Sequence, residues 1–155
     1  MMIKELGTSE CFEILKSNHI GRLAYIFENI PYAVPITYFH DAEENCIIGY
    51  SAKGHKIDAM QKNGVVTLQV DDIRLIQKWS SVLVHGNYEE LAGSTAKKYL
   101  HRFAMGVRKI LVKESGVKSE FIQDFSSRLQ GEMIPIVYRI NISDINGKFR
   151  NDQNN

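Results

Sequence analysis

Short runs of branched and aromatic residues, separated by polar breaks, dominate the hydrophobic pattern of this chain. Residues 21–27 form the first such run and predict a strand. Glu28-Asn29-Ile30 supplies a turn, and residues 31–40 predict a second strand. Pro35 interrupts it and has no N–H to give a ladder, which predicts a sheet edge, a bulge or the approach of a ligand. A polar hairpin loop at 41–45 leads to a third strand at 46–50. Val66, Leu68 and Val70 then alternate with Thr67 and Gln69, one set on each face of a fourth strand. Residues 71–78 are polar and read as a loop or a strand end. A fifth strand runs from Trp79 to about Leu91, with Gly86 marking a bend or bulge. Ile134, Ile136, Tyr138, Ile140 and Ile142 alternate strictly and mark a sixth. Beyond Gly147 the chain is polar and is expected to lack order.

Helical spacing is confined to four segments. Thr8 or Ser9 can cap the first, with Glu10 in its first turn, Phe12 and Leu15 inward, and an end near Ser17-Asn18. A short helix starts near Gly54, has Ile57 and Met60 on its apolar side, and stops at Asn63-Gly64. Ser94 can open a long helix to about Lys113, with Tyr99, Leu100, Phe103, Val107, Ile110 and Leu111 at the helical period. Its lysines and arginines read most simply as a solvated face, and otherwise as a surface for an acidic partner. A fourth helix is predicted from Lys118 to Leu129, with Phe121, Ile122, Phe125 and Leu129 inward and Gly131 as its stop. These strands do not alternate with helices as parallel β-α-β units do. Short polar loops between successive strands favour an antiparallel barrel with helices over its ends and sides. The expected fold is mainly β with flanking α, a single domain over residues 1–150, then a polar tail at 151–155.

Composition narrows the function. At 155 residues, 44% apolar and 24% charged, the chain fits one soluble domain. A net charge of +1 argues against a dedicated nucleic-acid binder. No apolar signal core opens the chain and no run approaches a membrane span, so a cytoplasmic protein is expected. Cys11 and Cys46 form neither a C-x-x-C motif nor a disulfide framework. Histidines at 19, 40, 55, 85 and 101 show no metal-site spacing, so no metal is expected.

The stretch Tyr50-Ser51-Ala52-Lys53-Gly54-His55-Lys56-Ile57 carries the most chemistry. A strand ending in a glycine turn and a helix start leaves unpaired N–H groups and a positive dipole end facing one point. Ser51 adds a hydroxyl, and Lys53 and Lys56 add charge, so a phosphate dianion would be satisfied there. The alternative is an ordinary surface turn with solvated lysines. Neither a Walker loop nor a dinucleotide fingerprint matches the spacing.

Four runs occur in order: Gly21-Arg22-Leu23-Ala24, Pro35-Ile36-Thr37-Tyr38, Tyr50-Ser51-x-x-Gly54-x-Lys56, and Trp79-Ser80-Ser81-Val82 through Gly86. Together they resemble the FMN-binding split-barrel proteins, relatives of pyridoxamine 5′-phosphate oxidase, and most of all the group similar to 5-nitroimidazole-resistance proteins. Ile145-Asn146-Gly147-Lys148 resembles the end of that group's last strand. The resemblance implies a six-stranded antiparallel split barrel that forms a homodimer, with one FMN in each of two interfacial clefts. Tyr50, Ser51, Lys53, His55 and Lys56 would then bind the phosphate end. Pro35, Ile36, Thr37 and Tyr38 would run beside the isoalloxazine, mostly through backbone groups, and Trp79, Ser80 and Ser81 would approach from the partner subunit. The family often carries arginine where this chain has His55, which leaves Lys53 and Lys56 as the main charges.

The activity implied is FMN-dependent oxidoreduction, with a nicotinamide electron donor and a small nitroaromatic or quinone-like acceptor. A non-catalytic flavin- or heme-binding split barrel is the alternative. No catalytic side chain is assigned, because the cofactor carries the chemistry. Trp79 reads first as core or interface packing and otherwise as a flavin stacker, Tyr38 as a packing residue rather than an acid, and His85 as a barrel histidine rather than a proton donor. Pyridoxamine phosphate oxidase activity itself is not expected, since those enzymes resemble this chain in the barrel but carry a longer C-terminal segment with an arginine–histidine substrate motif. Both faces of residues 23–27 are apolar, and a barrel interior covers one of them, which gives an independent reason to expect a dimer.

Overall fold

The computed structural model describes residues 2–115 and 135–152. In chain order the elements are β1 (Ile3–Glu5), α1 (Thr8–Ser17), β2 (Ile20–Phe27), β3 (Ile30–Thr37), β4 (Phe39–Asp41), β5 (Cys46–Ser51), α2 (His55–Lys62), β6 (Val65–Leu75), β7 (Lys78–Leu91), α3 (Gly93–Ser115) and β8 (Ile136–Asn151). All strand pairings are antiparallel, in the order β3-β2-β6-β7-β8-β5-β4, with β1 added along β8. The class is the expected one, an antiparallel split barrel with flanking helices. Among the described residues the strand number is eight rather than six.

Each departure has a local cause. The second expected strand divides at Tyr38, whose N–H bonds to the His19 carbonyl (2.8 Å) and so turns the chain into β4. Pro35 lies in β3, an edge strand, where a missing N–H costs no ladder bond on the open side. Residues 71–75 continue β6 instead of forming a loop, because Asp71, Asp72 and Ile73 pair with Ser81, Ser80 and Trp79. The order expected to fail after Gly147 persists through Asn151, since Lys148, Phe149 and Arg150 pair with both β7 and β1. Strand β1 itself was too short to show a period. Gly7, not Thr8 or Ser9, caps α1, and the Glu10 carboxylate accepts the Gly7 N–H. The helix expected at 118–129, with Gly131 and Ile134, lies outside the described residues.

Turn chemistry agrees with the sequence. Glu28 and Asn29 have φ of 51° and 63°, the left-handed pair that a two-residue hairpin requires. The register shifts between His85 and Gly86, so the expected bulge is present. A Cβ on Gly86 would stand 2.4 Å from the Asn141 carbonyl oxygen, so a side chain there would force the neighbouring backbone to shift.

Among the described residues two apolar clusters hold the sheet. Leu23, Tyr25, Ile47, Leu68, Val82, Val84, Tyr138 and Ile140 fill the interior of the curved sheet, with Leu15 of α1 and Ile57 and Met60 of α2 closing its ends. On the outer side, Tyr99, Phe103 and Val107 of α3 cover Cys46, Ile48 and Val137. Strand β5 is therefore buried on both faces, which explains why its sequence is a continuous apolar run rather than an alternation. No described helix is long and apolar enough to cross a membrane.

Candidate functional site

Strand β5 ends at Ser51, and α2 begins at His55 with Gly54 as its N-cap. No side chain caps that end, so its first N–H groups face outward without a side-chain acceptor. Lys53 is exposed and Lys56 half-buried beside it. The Ser51 hydroxyl donates to the adjacent Ala52 carbonyl (2.7 Å). Tyr50 meets the Phe103 ring edge-on at 5.2 Å, on the α3 side.

His55 has aromatic partners. Its Nδ1 is 2.9 Å from the Tyr25 hydroxyl, and its ring packs against Tyr32 (4.7 Å) and Phe27 (4.9 Å). Tyr25 and Tyr32 are themselves stacked at 5.5 Å, so the imidazole fastens the first turn of α2 to the β2–β3 hairpin. Sequence reading missed this aromatic cluster; the signal available was Tyr25 and Phe27 two apart on one strand and Tyr32 just across a two-residue turn.

Within β3, Pro35 is exposed, Thr37 half-buried and Ile36 buried. Tyr38 is fully buried and its hydroxyl donates to the Leu15 carbonyl at 2.7 Å. Burial pushes its phenol well above the ordinary value, and the hydroxyl is already committed to a backbone carbonyl, the setting of a packing residue.

The third group lies on the outer face of β6, β7 and β8. Trp79 and Ser81 project there by alternation and line an open depression of about 550 Å³, together with Gln69, Asp71, Ile73 and Lys148. Ser80, between them, projects to the opposite face. The Gln69 amide donates to Ser81 Oγ (2.9 Å) and to Asp71 Oδ2 (3.0 Å), and Arg22 pairs with the same Asp71 oxygen at 3.3 Å. His85 shares this outer face and its Nδ1 lies 3.0 Å from Thr67 Oγ1. Ile73, Leu75 and Ile76 nearby are 67%, 58% and 84% exposed, a large apolar area for a free surface. Ser51 pairs with Ile136 and Trp79 with Arg150, at opposite ends of β8, so a single chain does not bring these two groups together. Among the described residues no cluster of three or more potential metal ligands occurs.

Residues 7–148 match the family model described as pyridoxamine 5′-phosphate oxidase. The chain belongs to that family. An uncharacterised protein of Rhizobium meliloti is 36% identical over 91 residues, which is 59% of this chain and only 59% of that relative's length. Among solved structures, a FAD-binding protein from Mesorhizobium loti is 26% identical, with a TM-score of 0.75 and 98% and 99% of the two chains covered. A FAD-binding protein from Mycobacterium smegmatis shares the fold at 21% identity and a TM-score of 0.60, covering 95% of this chain and 98% of its own. The family match embraces all four runs from Gly21 to Gly86 and the strand end at Ile145–Lys148.

Proposed function

We propose that this chain is a flavin-dependent oxidoreductase that works as a homodimer. The observation that carries the reading is the end of β5: an uncapped α2 N-terminus flanked by Lys53 and Lys56, in a chain of this family. The residues fit a phosphate. Outward N–H groups, a positive dipole end and two ammonium groups suit a dianion, while Ser51 and His55 contribute by shaping the loop rather than by charge. FMN ends in such a dianion and is the ligand we assign. The solved relatives that bind FAD carry the same ring, and titration with both flavins separates the two.

A bound flavin supplies hydride and single-electron transfer; the protein's part is binding, orientation and electrostatics. Lys53 and Lys56 hold the phosphate, and His55 keeps α2 in place through Tyr25. The edge backbone of Pro35, Ile36 and Thr37 runs beside the ring. Trp79 and Ser81 come from the second subunit, and the apolar residues around them supply the contact area. A nicotinamide donor delivers the electrons and a small nitroaromatic or quinone-like molecule accepts them.

The test is the visible spectrum of the protein as isolated and after incubation with FMN or FAD. Flavin bands that NADH or NADPH bleaches anaerobically are expected. A colourless protein that stays so after incubation sinks the flavin reading. Bands that neither donor bleaches, or a heme Soret band, replace the enzyme with a carrier. Sedimentation at micromolar concentration should give a dimer, and a monomer would remove the shared cleft.

A further inference from the structure

Three neighbouring strands place a chain of hydrogen bonds on the outer face of the sheet. Gln69 and Asp71 are two residues apart on β6 and so share that face. Across the ladder Asp71 stands opposite Ser81 of β7, and Gln69 opposite Arg22 of β2. Directly opposed side chains lie on one face within reach of each other. Gln69, Asp71 and Ser81 line the depression beside Trp79, and Arg22 joins them through Asp71.

Charge fixes the direction in which this chain runs. An ionised carboxylate offers only acceptors, so Gln69 turns its NH2 group toward Asp71 and donates to Oδ2 at 3.0 Å. With the amide flipped, its carbonyl oxygen would face the carboxylate and be repelled. Arg22, a donor only, reaches the same Asp71 oxygen at 3.3 Å and holds the carboxylate from the β2 side. The second N–H of the Gln69 amide goes to Ser81 Oγ at 2.9 Å. A hydroxyl has one hydrogen and two lone pairs. Ser81 uses a lone pair to accept from Gln69, and its hydrogen has no acceptor among the described residues. That hydrogen is left for whatever occupies the depression.

We propose, on the reading that Ser81 of one subunit meets the ring bound by the other, that Gln69 fixes Ser81 as a hydrogen-bond donor toward the flavin and that this donor raises the flavin's reduction potential. Reduction increases the negative charge on the ring's nitrogens and carbonyl oxygens. A hydrogen bond to a charged acceptor is roughly twice as strong as one to a neutral acceptor. Ser81 therefore favours the reduced cofactor over the oxidised one. Gln69, with Asp71 and Arg22 behind it, acts through Ser81 and is a positioning residue.

The full chain loaded with FMN tests this by anaerobic reduction against a dye of known potential. Ser81→Ala should lower the ratio of reduced- to oxidised-flavin affinity about tenfold, a fall of about 30 mV for a two-electron couple. A purely structural loss would weaken both affinities alike and leave the potential where it was. Gln69→Glu replaces the amide donor by an acceptor, which captures the Ser81 hydrogen. In that background Ser81→Ala should change the ratio by less than about twofold. An unchanged potential in Ser81→Ala, with FMN still bound, overturns the inference and leaves the flavin reading standing. Equal shifts from Ser81→Ala in the two backgrounds also overturn it, because Gln69 would then not set the direction of the bond. A parent protein that takes up no FMN removes the flavin reading and the inference together. Ser81→Ala deletes one hydroxyl at a half-buried position and keeps the test decisive should Gln69→Glu fail to fold.

Discussion

Replacing Tyr38 by Phe separates packing from chemistry on the strand that carries Pro35, Ile36 and Thr37. The phenol hydroxyl donates to the Leu15 carbonyl at 2.7 Å in a fully buried setting. Leu15 lies in the last turn of α1, where carbonyls have no intrahelical donor. Ile14 is served by Ser17 and Asn18, so the Tyr38 hydroxyl is what satisfies its neighbour. Phe keeps the ring and its contacts, and the loss is one hydrogen bond plus an acceptor left buried. That combination costs about 1–3 kcal/mol. For a domain of this size it lowers Tm by about 2–12 °C.

Urea unfolding followed by circular dichroism measures the cost, and an unchanged m-value would show that only stability moved. Flavin affinity and the bleaching rate by NADH should stay within about twofold of the parent, below 0.5 kcal/mol. The reasoning fails if stability is unchanged while bleaching collapses. Tyr38 would then be an acid, and its buried, raised pKa would have been the wrong guide.

Four other outcomes follow from named contacts. Lys56→Ala removes one charge-assisted contact and should weaken FMN binding roughly tenfold to a hundredfold by fluorescence titration, with the fold intact. Gly86→Ala drives a methyl into the Asn141 carbonyl and Ile140, and should cost about 1–3 kcal/mol in chemical denaturation. His40 contributes a pH dependence with a definite sign: its folded pKa lies below the ordinary 6.5, so the unfolded chain binds the extra proton first. Stability should therefore hold above pH 6.5 and fall as the pH drops below it, and His40→Phe should flatten that part of the curve. Ile76→Glu at the β6–β7 turn should weaken self-association in sedimentation without lowering Tm of the monomer, because the side chain is 84% exposed.

Most of the sheet was legible because its residues obey local rules. Val66, Leu68 and Val70 alternate, Glu28-Asn29 forms a tight turn, and Gly86 marks the bulge, each within a few residues. What escaped depends on partners distant in the chain. β1 exists only because β8 offers it an edge, and residues 148–151 are ordered by the same pairing. The split at Tyr38 comes from a bond to His19, nineteen positions earlier. The cap of α1 was placed one or two residues late because Glu10 secures a glycine that has no side chain of its own.

The site divides along the same line. The turn at 51–56 could be recognised from charge and glycine spacing, but not the direction of its side chains. The sequence already marked Lys53 and Lys56 as the main charges, but it left Ser51 and His55 as contacts to the same phosphate. Their bonds to Ala52 and Tyr25 set them apart, and those depend on backbone geometry and on a hairpin about 25 residues upstream. The same limit hid His40, which looked like one scattered histidine until β4, α1 and α3 closed around it.

The arrangement of β8 turns the proposed chemistry into a question of assembly. Ser51 and Trp79 are held at its two ends, by Ile136 and Arg150. A planar ring anchored by its phosphate at one end cannot also meet Trp79 of the same chain unless the strand folds back on itself. Continuous pairing with β7 from Leu91 to Lys78, broken only at the bulge, prevents that. A second copy presenting its own Trp79 face is then required for a ring that touches both groups. Flavin affinity in such a protein must depend on protein concentration, falling as the dimer dissociates on dilution. A flavin Kd that stays constant across the dimer-to-monomer transition would place the whole ring within one chain, and would move the search to the edge of β3.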